Sequence, residues 1–259
     1  MTEAINTMAL EIAGIAPLHS FWLYGSVVLN DFRLGWSDID FIALTADPIT
    51  ESQAEALLML RQRLSARYPA NPYYRCFEGV IVSLRAYRTR AFSRLLYWGT
   101  TGQRITDKYP ADPFAQLELA KYGKAVCGEA NREIFSAPTQ AEIVAAIRNH
   151  LQTVRTYAAR TDERLYSCGW LLDIARCVYT LRTGDVTGKT QAGEWALDNR
   201  LFPDESQLRK TLTVRRNPLA YKDRPDIRHW LSSLGPTVQR YADVLEGALE
   251  AWEQTNPSE

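Results

Sequence analysis

The sequence predicts an α/β domain with a mixed sheet, followed by an all-α domain built as a helical bundle. Strand-like runs of aromatic and β-branched residues occupy the first half of the chain. From about Pro113 onward the apolar residues recur at the helical period instead. The length of 259 residues suits two domains. We place the boundary in the Phe135–Pro138 stretch, which gives predicted domains of residues 1–135 and 136–259.

Three strands and one long helix are predicted in the first half. Aromatic or β-branched runs that end at turn residues favour strands, and an apolar period that ends at Pro69 favours a helix. The predicted strands are Phe21–Tyr24, Ser37–Leu44 and Phe77–Tyr87, and the predicted helix is Glu51–Tyr68.

Four helices are predicted in the second half. The central one places Leu171, Ala175 and Val178 on one apolar face and stops at Gly184. The four helices are Gln140–Arg160, Leu165–Leu181, Gly193–Asn199 and Pro225–Trp252.

The composition narrows the classes of partner and compartment. Thirty basic and thirty acidic residues give a formal charge of zero, so the electrostatic signature of a nucleic-acid-binding protein is missing. No apolar run approaches the roughly 18 residues of a membrane span. Four scattered cysteines without a CxxC pair favour free thiols over zinc. We therefore expect a cytoplasmic monomer without membrane or nucleic-acid partners.

Two acidic residues beside a Gly-Ser turn indicate a site for a metal-bound nucleotide. Asp38 and Asp40 lie two apart in a predicted strand, so their carboxylates project on one face and suit Mg²⁺. Gly25 lets the backbone approach phosphates, and the hydroxyls of Ser26 and Ser37 are candidate phosphate ligands. Each feature alone is common in surface turns. The site is predicted by the order in which they occur along the chain. A strand is followed by Gly-Ser, a spacer, Ser-Asp-Ile-Asp and a second strand.

These segments also carry a family resemblance. Leu23–Ser26 followed by Ser37–Phe41 resembles the signature of the DNA polymerase β superfamily of nucleotidyltransferases. More narrowly, the chain from about Leu18 to Arg224 resembles the aminoglycoside adenylyltransferases, which modify spectinomycin and streptomycin. The resemblance implies a polymerase β-like first domain and Mg²⁺-dependent transfer of AMP from ATP to a hydroxyl of a small molecule, with pyrophosphate released.

The resemblance extends to a third carboxylate. Glu78, on the predicted strand that begins at Phe77, matches the family's third acidic residue. This match implies that Glu78 is a metal ligand and the general base that takes the proton of the acceptor hydroxyl. From the residues alone, a glutamate on an edge strand facing water is the competing interpretation.

Further contacts are assigned outside the acidic residues. Arg176 and Lys189 match basic residues that bind the ATP phosphates, and Asp112 matches an aspartate near the nucleotide. Trp98 resembles a tryptophan of the family's substrate pocket. Trp170 is a second candidate for stacking on substrate, although tryptophans of a two-domain protein also serve in core packing.

Two other functions stay open at this point. One is a nucleotidyltransferase that modifies a protein or an RNA end, as in toxin and antitoxin systems. The other is a ribonuclease of the helical domain, because Arg224 and His229 form an Arg-x-x-x-x-His pattern that occurs in helical ribonucleases.

Overall fold

The computed structural model describes residues 1–99, 102–109 and 112–256. It divides into two compact units. The first comprises Met1–Phe32 and Ser37–Ala137, and the second comprises Arg33–Trp36 and Pro138–Glu259. The predicted helical domain ends at Glu259, so its last three residues lie outside the described ones. The assignment of Arg33–Trp36 to the second unit has no counterpart in the sequence-based prediction.

The first unit contains a mixed six-stranded sheet. Its order is β5-β4-β3-β2-β1-β6, and the strands are β1 Leu18–Leu23, β2 Ile39–Thr45, β3 Phe77–Ser83, β4 Leu95–Gly99, β5 Gly102–Thr106 and β6 Lys124–Gly128. The central pair β2 and β3 is parallel, and each of the other neighbouring pairs is antiparallel. A parallel pair requires a crossover, which the helices after β2 provide.

Helices cover both faces of this sheet. They are α1 Thr2–Ile15, α2 Glu51–Leu58, α3 Leu60–Arg67, α4 Leu84–Thr89 and α5 Pro113–Tyr122. One face of the sheet packs a core with α1, α2 and α3 that includes Met8 and Phe41. The other face packs a second core around Trp22, Leu119 and Phe135. Because strand side chains alternate between the faces, β2 and β3 carry apolar residues on both.

The predicted helix Glu51–Tyr68 is interrupted. It forms two helices, α2 and α3, with a turn at Met59. Arg63 Nη2 donates a hydrogen bond of 3.2 Å to the carbonyl of Ala56. In an unbroken helix this carbonyl would accept from the amide of Leu60. The side chain therefore satisfies a group that the break leaves unpaired.

The predicted strand Phe77–Tyr87 is also too long. It ends at Ser83, whose hydroxyl accepts a 3.2 Å hydrogen bond from the amide of Ala86 and so begins α4. Serine is favoured at the N-cap position of helices for this reason. Strand β6 lies in the region that was predicted to be helical, and α1 was not predicted. The pairing of β6 with β1, an interaction distant in sequence, overrides its weak local pattern.

The second unit is a helical bundle. Its helices are α6 Gln140–Tyr157, α7 Tyr166–Thr183, α8 Lys189–Asp198, α9 Glu205–Arg216, α10 Pro218–Tyr221, α11 Pro225–Ser232 and α12 Gly235–Thr255. The central α7 is buried along most of its length. The predicted helix Pro225–Trp252 is divided into α11 and α12 because Pro236, in the first turn of α12, cannot continue a preceding helix. Within the described residues, no helix is long and apolar enough to cross a bilayer.

One glycine permits the central strands to approach closely. A methyl group added to Gly79 on β3 would overlap the carbonyl oxygen of Phe41 on β2 and lie 2.7 Å from its ring carbon Cδ1. The backbone of a paired strand cannot move away without breaking the ladder. Gly79 is therefore required by packing, and it follows Glu78 directly.

We predict that Gly79→Ala lowers the free energy of unfolding by about 2–3 kcal/mol, because overpacking against a backbone atom forces the strands apart. The matched control is Gly14→Ala in α1, where an added methyl group meets nothing within 4 Å. That control leaves stability unchanged or raises it by up to about 1 kcal/mol. Urea denaturation followed by circular dichroism measures both. Equal stability of the two variants would contradict this account of the strand pair.

Candidate active site

The parallel register of the central strands pairs two of the predicted acidic residues. Asp40 on β2 is the register partner of Glu78 on β3. Neighbouring strands lie about 4.8 Å apart, and paired residues project on the same face of the sheet. Both side chains are half-buried, and Asp38 precedes β2 by one residue. The structure therefore pairs two of the three acidic residues that the sequence singled out, Asp40 and Glu78.

The Gly-Ser turn lies directly against Asp40. Gly25 has φ of +67°, and a methyl group on it would overlap the carboxylate of Asp40, 2.8 Å from its Cγ. The turn is a short 3₁₀ helix, Gly25–Val27. Ser26 Oγ donates a 3.2 Å hydrogen bond to the carbonyl of Asp38. Only glycine fits here, because both its backbone angle and its missing side chain are needed.

Arg61 is a basic neighbour of the acidic residues that sequence reasoning missed. From α3, its Nη1 donates a 2.7 Å hydrogen bond to the carbonyl of Phe77. Burial lowers the pKa of Arg61, and the charges of Glu78 and Asp38 oppose that change. A signal was present in the sequence, since Arg61 lies at helical spacing between Leu57 and Leu64, which are both buried. An arginine among apolar residues indicates a partner for its charge.

The negative charge of these carboxylates also raises the pKa of neighbouring side chains. Burial raises the pKa of the Tyr24 phenol, and Asp40 raises it further. Burial, followed by the charge of Asp38, raises the pKa of the Cys76 thiol to about 11. A cation placed beside these carboxylates would relieve the repulsion among them.

The donor set fits magnesium in part. Within the described residues, no group of three acidic, histidine or cysteine side chains is assembled closely enough to hold a metal alone. Mg²⁺ usually takes one or two carboxylates and completes its shell with water and substrate phosphates. Asp40, with Asp38 two residues before it, supplies that smaller set beside a turn suited to phosphate.

Two of the predicted contacts have structural roles in the first unit. Asp112 begins α5, where its Oδ1 accepts a 3.0 Å hydrogen bond from the amide of Phe114. Trp98 is 0% exposed and packs edge-on against Phe41 with ring centroids 5.5 Å apart. A side chain without exposed surface cannot stack on a substrate, so Trp98 is removed from the candidate site. The aromatic character that suggested a pocket is explained by core packing.

In the helical unit, Lys189 is paired with an acidic residue that the sequence did not single out. Lys189 Nζ lies 2.9 Å from Oδ1 and 3.2 Å from Oδ2 of Asp173, which lies three residues before Arg176 on α7. Burial alone would raise the pKa of Asp173. Lys189, then Arg176 and His150, outweigh that effect and hold the pKa below its ordinary value. The signal was a lone acidic residue within a buried apolar helix.

Trp170 and the residues of the ribonuclease alternative have different surroundings. Trp170 is 6% exposed and packs edge-on against the exposed Tyr166, with ring centroids 4.8 Å apart.

Arg224 binds Asp226 through two hydrogen bonds, of 3.0 and 2.7 Å. Because Asp226 occupies this guanidinium, the pattern that Arg224 forms with His229 has a structural explanation, the start of α11.

Comparison with known proteins agrees with this architecture. Residues 133–224 match the family model described as aminoglycoside adenylyltransferase, C-terminal domain. The fold is similar to the crystal structure of spectinomycin adenyltransferase AAD(9) from Enterococcus faecialis with ATP and spectinomycin. The TM-score is 0.64 at 16% sequence identity, and the match covers 94% of this chain and 98% of the other.

The mixed sheet of the first unit and the helical bundle of the second form the fold that this chain has in common with that structure. The resemblance to the aminoglycoside adenylyltransferases is confirmed through the match at residues 133–224. The predicted fold class is confirmed as well, and so is the prediction of an adenylyltransferase-like enzyme. The individual site residues other than Trp98 stay predictions.

The low pKa of Asp173 makes the stability of the helical unit depend on pH. The folded pKa lies below the unfolded value, so the unfolded chain takes up the proton first as the pH falls. The contribution of Asp173 is therefore complete above roughly pH 5 and is lost progressively below it. We predict that Asp173→Asn costs about 2–4 kcal/mol at pH 7 and weakens the decline of stability toward pH 3.

The matched control is Asp198→Asn, at the exposed last position of α8. It should leave both the stability at pH 7 and the pH dependence within about 0.5 kcal/mol of the wild type. Urea titrations at several pH values measure the two variants. A pH dependence in Asp173→Asn as steep as that of the wild type would show that Asp173 is not the responsible group.

Proposed function

We propose that the protein transfers AMP from ATP to a hydroxyl group of an aminoglycoside-type antibiotic, with Mg²⁺ as cofactor and pyrophosphate as the second product. Spectinomycin and streptomycin are the first acceptors to test. The observation that carries the proposal is the register pairing of Asp40 with Glu78, with Gly25 packed against the Asp40 carboxylate. The match at residues 133–224 and the similarity to spectinomycin adenyltransferase AAD(9) support it.

Asp38 and Asp40 are the residues that would hold magnesium. When bound, the ion would supply positive charge that neutralises the charge developing on the leaving pyrophosphate. Asp40 is already fixed in position, because its strand is paired on both sides and its carboxylate packs against Gly25. Such preorganisation is what distinguishes a catalytic carboxylate from an exposed one.

Ser26, Ser37, Arg176 and Lys189 are the proposed phosphate contacts, and Gly25 allows the backbone to approach. Hydrogen bonds between a cation and a phosphate are stronger than neutral ones. Asp173 neutralises part of the charge of Lys189 and orients its amine. Lys189 therefore has a defined position before the nucleotide binds. Asp112 is a further candidate for a position near the nucleotide, and its charge is one of those that raise the pKa of the Tyr24 phenol.

Glu78 is the proposed general base. Its carboxylate takes the proton of the acceptor hydroxyl while that oxygen attacks the α-phosphorus of ATP. The bond from the α-phosphorus to the bridging oxygen breaks, and pyrophosphate leaves with the electron pair. The register places Glu78 on the same sheet face as Asp40, which is required if both groups act on one reacting phosphate.

We predict that Glu78→Gln and Asp40→Asn each lower kcat at least 10²-fold, the usual loss when a general base or a metal ligand is neutralised. Glu55→Gln, on an exposed position of α2, is the matched control and should keep full activity. Pyrophosphate release is measured with ATP, Mg²⁺ and a panel of aminoglycosides, and the mass of the modified drug identifies the adduct. Full activity of Asp40→Asn would refute the metal assignment.

The same assay separates the remaining alternatives. Pyrophosphate release with a mass increase on a protein or an RNA end, and none on a drug, would favour the macromolecular nucleotidyltransferase. RNA cleavage without pyrophosphate release would favour the ribonuclease. A drug adduct of the mass of AMP supports the proposed function.

We predict that Lys189→Met raises the KM for ATP about 10- to 100-fold, because it removes a charge-assisted contact worth about 1.5–3 kcal/mol. Lys189→Arg keeps the charge and should lose less. The control is Lys222→Met, an exposed position after α10 that should keep the wild-type KM. Initial rates over a range of ATP concentrations measure the effect. An unchanged KM in Lys189→Met would exclude Lys189 from the phosphate site.

A further inference from the structure

A tyrosine on the neighbouring strand holds the proposed general base. The hydroxyl of Tyr97 on β4 donates a 3.2 Å hydrogen bond to Oε1 of Glu78. The register pairs Val80 with Tyr97, so Tyr97 lies diagonally from Glu78 on the same face of the sheet. Long aromatic side chains reach across such a diagonal. The contact is therefore built into the strand pairing.

Two further residues fix the position of the tyrosine ring. A methyl group on Gly99 would overlap the Tyr97 hydroxyl and its ring, so the ring lies across the space that a side chain at position 99 would fill. Because Gly79 pairs with Trp98, the next step of the antiparallel register brings Gly99 opposite Glu78. The Arg104 guanidinium also stacks on the Tyr97 ring, 4.3 Å from its centroid. The ring is thus held by contacts with a glycine position and with a cation.

We propose that Tyr97 is a positioning residue for Glu78. Its hydrogen bond fixes Oε1 and directs Oε2 toward the acceptor hydroxyl, whose proton Oε2 takes. Gly99 provides the space that this arrangement needs. The inference deepens the proposed function and rests on it, because it assigns a role relative to the general base.

The physical reason lies in the freedom of a glutamate side chain. Glu78 has three rotatable bonds, and a carboxylate without a fixed partner samples several orientations. A displacement of about 1 Å at a catalytic group can cost roughly 10²-fold in rate. A hydrogen bond from a phenol whose ring is held by these contacts removes this freedom before the substrate binds. Loss of the bond should therefore slow the chemical step and leave nucleotide binding unchanged.

Tyr97→Phe tests the inference, because it removes only the hydroxyl. We expect kcat to fall about 10-fold while the KM for ATP stays within about 2-fold of the wild type. Gly99→Ala should lower kcat to a similar extent, since it displaces the ring while keeping the phenol. Tyr68→Phe, at an exposed position, is the control and should retain wild-type rates.

A double variant distinguishes positioning from a general structural effect. If Tyr97 acts through Glu78, Tyr97→Phe has no further effect on the rate in the Glu78→Gln background. A full kcat in Tyr97→Phe, a rise of the ATP KM equal to the fall in kcat, or an additive loss in the double variant would each overturn the inference.

A stability cycle on the same variants provides a readout without activity. If Tyr97 holds Glu78, the double variant loses less stability in urea titrations than the sum of the two single losses. Additive losses overturn the inference whether or not the wild type transfers AMP. Coupled losses together with a wild type that releases no pyrophosphate would instead refute the proposed function.

Discussion

The close parallel pairing of β2 and β3 is the constraint on which the rest of the candidate site depends. Gly79 allows the two backbones to meet, and the register that results places Asp40 opposite Glu78. A shift by one residue would turn either carboxylate to the opposite face, into the apolar core. The position of the acidic pair is thus set by backbone hydrogen bonds and by one missing side chain. It does not depend on an interaction between the two carboxylates.

Each unit has charged side chains in partly buried positions, and the two units stabilise these charges in different ways. Near Glu78, Arg61 provides a positive charge from α3 but remains hydrogen-bonded to a backbone carbonyl. In the helical unit, Lys189 contacts both oxygens of Asp173 directly. Buried charge is a weak source of stability, so its presence in each unit indicates a demand other than folding. The carboxylates of Asp40 and Glu78 suit a cation, and the basic residues around Asp173 suit an anion.

The acidic pair was predictable because its signal is local. Ser37–Phe41 and the turn before it are contiguous motifs, and the strand that holds Glu78 has a clear pattern. Tyr97 escaped prediction because its role arises from pairing with a distant segment. Trp98 was wrongly assigned for the same reason, since residue type alone cannot show which face of a strand is buried. The helix break at Met59 and the strand end at Ser83 are accompanied by single side-chain hydrogen bonds that no periodicity reveals.

Two glycines explain why the side chains of the site are held in more defined positions than their residue types alone suggest. Gly25 leaves room for the carboxylate of Asp40, and Gly99 leaves room for the ring of Tyr97. In each case a missing side chain lets a polar group occupy one position that its neighbours enclose. Rigid placement of this kind lowers the cost of ordering a group at the moment of reaction. It follows that the orientation of Asp40 and Glu78 is fixed by the fold of the first unit before any ligand is bound.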